Sequence, residues 1–80
     1  DKLYKLQLNV GGKSKQIVAG VAKQYTPEEL VGRKIAVIDN LEPAVIRGER
    51  SEGMLLAALD GEVISLLTPD KDVSPGSKVM

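Results

Sequence analysis

Residues 4–22, YKLQLNVGGKSKQIVAGVA, decide the fold class. Tyr4, Leu6, Leu8 and Val10 alternate with Lys5, Gln7 and Asn9, the period-two pattern of a half-buried strand. Gly11-Gly12 supplies the positive φ angles that a tight hairpin turn needs. Lys15 to Ala22, rich in Val and Ile, is expected to run back as the second strand.

The rest of the chain continues in short pieces. Thr26-Pro27-Glu28-Glu29 marks a helix start: Thr26 caps, Pro27 suits the first helical position, and Glu29 can reach back to close a capping box. Gly32 is expected to end that helix after little more than one turn. Lys34 to Asp39 (KIAVID) is an apolar run suited to a covered strand. Met54 to Leu59 and Glu62 to Leu67 are expected as the last two strands, joined by a turn at Asp60-Gly61. Thr68 to Lys78, with Pro69, Asp70, Pro75 and Gly76, reads as a turn-rich loop. Short strands with one brief helix between the second and third predict an all-β fold, a small OB-type barrel that closes its edges by wrapping the sheet.

Composition narrows the chemistry. Eighty residues make one small domain, and a hydrophobic content of 42% can pack a core, with aliphatic residues filling it because Phe and Trp are absent. There is no Cys and no His, which removes disulfides, thiolate metal sites and the commonest general base. Neither a catalytic constellation, a metal site nor a cofactor site is expected. The acids Glu28, Glu29, Glu49, Glu52, Asp60 and Glu62 form no pair placed in a cleft. No GxxxxGK loop occurs, and Gly11-Gly12-Lys13 is a hairpin tip, not a phosphate cradle. No apolar run approaches the roughly 18 residues that span a bilayer, so a cytoplasmic location without membrane contact is expected. Net charge is zero but unevenly spread. Residues 1–40 hold seven Lys and Arg (Lys2, Lys5, Lys13, Lys15, Lys23, Arg33, Lys34) against four acids, and residues 41–80 hold four against seven. A basic first half folded onto one face could attract phosphates.

Residues 40–56, NLEPAVIRGERSEGMLL, carry the functional signal. Asn40, a turn at Pro43, Arg47-Gly48 and Ser51-x-Gly53-Met54 stand between hydrophobic strands in an order that a core does not require. Five blocks follow one another along the chain: DKLYKLQLNVGG, QIVAGVAKQYTPEELVGRK, NLEP, SEGMLLAA and LLTPDKDVSPGSKV. Together they resemble the tRNA-binding domain appended to methionyl-tRNA synthetases, which also occurs as free-standing tRNA-binding proteins and in eukaryotic synthetase cofactors. The resemblance implies an OB-fold over residues 1–80 that grips tRNA by shape at its outer corner, without reading an anticodon. It implies no catalysis in this domain, a role accessory to methionine–tRNA ligase, and a homodimer or a synthetase catalytic domain as partner; DNA is not expected to bind.

The resemblance places the contact surface at Asn40, Ser51, Gly53 and Met54, with basic residues on the RNA backbone. Arg47 and Arg50, beside the signature, are the leading basic candidates; Lys23, Arg33 and Lys34 around the helix are the next, since an OB surface commonly tracks a backbone. Each has an alternative: Ser51-Glu52-Gly53 can be a turn into a strand, Met54 core filler, and Lys13 and Lys15 a solvated hairpin tip. Tyr25 can stack on a base or staple the helix to the core. Where the family often carries basic residues around its counterpart of Glu42-Pro43-Ala44-Val45, this chain has Glu42, Ala44 and Val45, which lowers phosphate attraction. An export-related chaperone branch shares TPEELxG but lacks the GMLLAA continuation. The family pattern also has a strand before the position of Asp1, so the barrel is expected to lack its usual first strand and to present an open edge. That edge, with the zero net charge, motivates the alternative of a protein-interaction or dimerisation domain with little RNA affinity.

Overall fold

The computed structural model describes residues 3–80; Asp1 and Lys2, counted above in the basic half, lie outside them. The first hairpin forms as its alternation predicts. Strand β1 (Tyr4–Val10) pairs antiparallel with β2 (Lys13–Ala19), from Tyr4 opposite Ala19 to Val10 opposite Lys13. Gly11 and Gly12 form the two-residue turn with φ of 62° and 89°, the left-handed region required for the twist of a hairpin. Pairing therefore starts two residues before the expected Lys15 and stops at Ala19, because Gly20-Val21 turns away. Along β2 the last three residues, Ile17, Val18 and Ala19, are all buried, so neighbours cover both faces of its second half.

Helix α1 (Pro27–Leu30) is the expected single turn. Thr26 Oγ1 accepts from Glu29 N at 3.3 Å and Glu29 Oε1 accepts from Thr26 N at 2.8 Å, a complete capping box. The bond from the Thr26 backbone, and then the one that the Thr26 hydroxyl donates to Glu29 Oε1 at 3.2 Å, hold the Glu29 carboxyl below the usual carboxylate range, and nearby Arg33 adds to the effect.

Downstream, the expected long strands break into shorter ones. Only Val37–Ile38 of the run 34–39 forms a ladder (β3). A hairpin that the sequence reading did not assign follows, β4 (Ala44–Ile46) with β5 (Glu49–Ser51). The run 54–59 splits at Leu56 into β6 (Met54–Leu55), which pairs with β3, and β7 (Ala57–Asp60), which pairs with β8 (Val63–Leu66). Leu56 is the junction: its N donates to Ala36 O at 2.9 Å and its O accepts from Leu67 N at 3.1 Å, while Ala36 N donates to Leu67 O at 2.9 Å. Single bonds of this kind sew the four two-stranded ladders into one OB-type arrangement. The last hairpin turns on Gly61-Glu62, one residue beyond the expected Asp60-Gly61.

Ala19, Val21 and Leu66 form the buried cluster, and Tyr4, Leu6, Tyr25, Leu30, Ile35, Leu55, Ala57 and Ile64 pack partly buried around it. Tyr25 settles as the staple. Its hydroxyl accepts from Leu66 N at 2.9 Å, its carbonyl accepts from Tyr4 Oη at 2.8 Å, and the Arg33 guanidinium lies 5.9 Å from its ring centroid. At the far end, Gly76 seats the 68–80 loop on the first hairpin. A Cβ there would stand 2.6 Å from Gly11 Cα and 2.7 Å from Gly11 N.

Candidate nucleic-acid interface

The polar side chains around Ser51 are joined through β2. Gln16 uses all its polar groups: its N donates to Glu52 Oε1 at 3.0 Å and its O accepts from Glu52 N at 2.8 Å. Its Nε2 donates to Arg50 O at 2.8 Å, and its Oε1 accepts from Gln7 Nε2 at 3.0 Å. One residue along, Lys15 Nζ donates to Asp39 O at 2.9 Å. These bonds dock β5 and the loop that carries Asn40 onto the same strand. Nothing in the local sequence of Gln16 or Lys15 signals this; it follows from which strand lies beside which.

Ser51 and Gly53 sit inside this frame. Ser51 is 3% exposed; its hydroxyl accepts from Val18 N at 3.0 Å and donates to Gly53 O at 2.9 Å. That hydroxyl is engaged by the fold, where it fixes the positions of Val18 and Gly53. Gly53 is also buried. A Cβ on it would lie 2.5 Å from Ile38 O, so the glycine is there for close approach of backbones and not, as the turn reading has it, for a special φ. Met54 is half-buried opposite Ile38, and Asn40 is exposed two residues past Ile38. Asn40, Ser51, Gly53, Met54 and Arg50 are thus gathered at one end of β3, with Arg47 exposed at the tip of the β4–β5 hairpin.

The remaining basic candidates lie elsewhere. Arg33 and Lys34 stand at the start of the segment 33–40 that ends at Asn40. There, Gly32, Arg33 and Lys34 line an open depression with residues 68–72, and Lys34 is ion-paired with Asp72. That bond, and then the charge of Lys34, hold the Asp72 carboxyl below its ordinary range. Lys23 lies in a third place, on the turn whose Gln24 Nε2 donates to Glu62 O at 2.8 Å. Among the described residues no group of three or more acidic side chains could hold a metal ion, and no helix is long and apolar enough to cross a membrane.

The ladders, the capped single-turn helix and the loop surface around Asn40 define a small OB-type binding module. The chain belongs to the tRNA-binding domain family: the family model described as "Putative tRNA binding domain" matches residues 1–78. It is 52% identical over 79 residues to the methionine–tRNA ligase of Pyrococcus furiosus, a match over 99% of this chain and 11% of that protein. It is 58% identical over 71 residues to the methionine–tRNA ligase of Methanobrevibacter smithii, over 89% of this chain and 10% of that protein. The chain thus spans about a tenth of the length of these ligases. Among solved structures it is similar to a MetRS related protein from Pyrococcus horikoshii, with a TM-score of 0.89 and 36% identity over 99% of this chain and 73% of that one. The chaperone CsaA from Bacillus anthracis is similar too, with a TM-score of 0.88 and 29% identity over 95% of this chain and 74% of that one.

Proposed function

We propose that residues 1–80 act as a non-catalytic tRNA-binding domain that serves a methionyl-tRNA synthetase in the cytoplasm, as an appended domain or as a subunit. The observation that carries this reading is the gathering of exposed Asn40, half-buried Met54 and the exposed cations Arg47 and Arg50 at one end of the family's fold. Ser51, Gly53, Gln16 and Lys15 hold that surface in shape. Recognition is of RNA shape and backbone, since the surface offers few base-reading groups and a small number of cations. The domain contributes by raising the local tRNA concentration at a catalytic domain elsewhere, as a tethered second site does. Arg33, Lys34 and Lys23 supply outlying phosphate contacts. A filter-binding comparison of cognate tRNA, non-cognate tRNA and duplex DNA at low and moderate salt tests the reading. Similar affinity for both tRNAs, weaker binding to DNA and a loss with salt are expected; no tRNA binding at low salt refutes it.

A second reading is motivated by β1, which has a ladder partner on one side only among the described residues, and by the zero net charge. An unpaired strand edge invites another strand, and the domain would then serve a homodimer or another protein interface with little RNA affinity. Sedimentation with and without tRNA separates the two: a monomer that retains tRNA excludes the second reading.

A further inference from the structure

The β4–β5 hairpin is the part of this surface that the signature motif does not explain. Its cross-strand pairs place Ala44 opposite Ser51, Val45 opposite Arg50 and Ile46 opposite Glu49. Directly opposed residues share a face, so Val45 and Arg50 point to the side away from buried Ser51 and half-buried Ile46. Val45 is 74% exposed, and the Arg50 guanidinium makes no ion pair among the described residues. Glu49, on the opposite face of the same strand, is bonded to Lys5 at 3.5 Å. The turn itself is unusual. Arg47 has φ 53° and Gly48 φ 80°, and Arg47 is the one residue other than glycine at positive φ among those described. Asn or Gly is the ordinary occupant of that position, and a side chain with a Cβ is strained there. A guanidinium is therefore held at the tip of an exposed arm against a local backbone preference, beside an uncovered valine and a second guanidinium.

We propose that this hairpin is a probe for an unstacked nucleobase, with Val45 lying against the face of the base and Arg47 and Arg50 holding the phosphates that flank it. The proposal rests on the reading of the chain as an RNA binder and names the feature of the RNA that is met: a non-helical loop, not a regular duplex. In a paired A-form helix the base faces are stacked and only sugars, phosphates and shallow-groove edges are presented, so an exposed valine has no apolar surface to cover. A base splayed out of the stack offers such a surface, and phosphates on either side complement the two cations.

Fluorescence anisotropy with the whole chain tests this on a tRNA transcript, an RNA stem–loop, and the same stem closed as a blunt duplex. The wild type binds the stem–loop more tightly than the blunt duplex. Val45→Ser weakens tRNA and stem–loop binding by about fivefold, the effect of losing part of a buried valine contact, while duplex binding and the salt slope stay as they were. Val45→Ile restores the loop preference, and Val45→Thr, which keeps the β-branch, replaces the serine variant if melting shows that serine unfolds the domain. Arg47→Gly holds or raises the melting temperature, because glycine has no Cβ penalty at this φ, yet lowers tRNA affinity. If Val45→Ser weakens the duplex as much as the stem–loop, or weakens neither, the probe is refuted. If Arg47→Gly leaves tRNA affinity unchanged, the tip guanidinium has no part in it. A wild-type chain that binds no tRNA refutes the broader reading instead, so the two failures are distinguishable.

Discussion

Replacement of Gly53 by alanine adds one methyl group at the narrowest backbone approach around the proposed surface. Its carbon would stand 2.5 Å from Ile38 O, 3.4 Å from Asp39 Cα and 3.6 Å from Ile38 C, all backbone atoms that cannot rotate aside. An ordinary carbon–oxygen approach is about 3.3–3.6 Å, so β6 must retreat from β3 by roughly an ångström, across the Ile38–Met54 pair of a ladder only two residues long. Overpacking of this kind costs about 1–3 kcal/mol, and the absence of flexible neighbours places Gly53→Ala at about 2 kcal/mol or more. For a domain of this size that lowers the melting temperature by about 10 °C, at 4–8 °C per kcal/mol. Thermal denaturation followed by circular dichroism measures it, with Gly20→Ala as the control. Gly20 has no positive φ, and a Cβ there meets only the Leu3 side chain at 3.7 Å, so that variant should stay within about 0.5 kcal/mol of wild type or gain slightly. Equal melting temperatures for the two variants would refute the claim that close approach is what demands glycine at position 53.

Ser51→Ala leaves the Val18 N–H and the Gly53 carbonyl without the hydroxyl that serves both, and should destabilise by about 1–3 kcal/mol in urea unfolding. The folded fraction should keep its salt dependence of tRNA binding, because no cation is removed. Gly76→Ala should also destabilise, since both nearest atoms belong to the Gly11 backbone, and hydrogen exchange should show the 68–80 loop released from the first hairpin while the β7–β8 ladder stays protected. Glu29 and Asp72 have folded-state values depressed below their unfolded ones, so the stability they contribute is present above the ordinary carboxylate range and is lost as pH falls through their lowered values. Glu29→Gln should therefore flatten the acid limb of a pH–stability profile. An unchanged limb would mean that the capping box is not titrating there.

Much of the fold was legible along the chain because its causes are local. Alternation from Tyr4 to Val10, the Gly11-Gly12 turn and the box of Thr26 with Glu29 each rest on contacts within a few residues, and each forms as read. Family likeness, carried by NLEP and SEGMLLAA, was equally a property of order along the chain. The β4–β5 hairpin was missed because its turn is Arg47-Gly48, and arginine is not a residue that announces positive φ. Strand lengths were overestimated at 34–39 and 54–59 because apolar runs record burial, whereas a ladder also needs a partner in register. Tertiary structure alone decided that the Ser51 hydroxyl and Gly53 are packed into the framework, that Gln16 and Lys15 dock β5 and the Asn40 loop, and that Arg33 and Lys34 line a depression with residues 68–72. The physical reason is one of range. Turn and cap chemistry is settled by neighbours in sequence, while the burial of a hydroxyl and the space beside a glycine depend on segments far apart along the chain, such as Val18 with Ser51 and Gly11 with Gly76, brought together only when the ladders assemble.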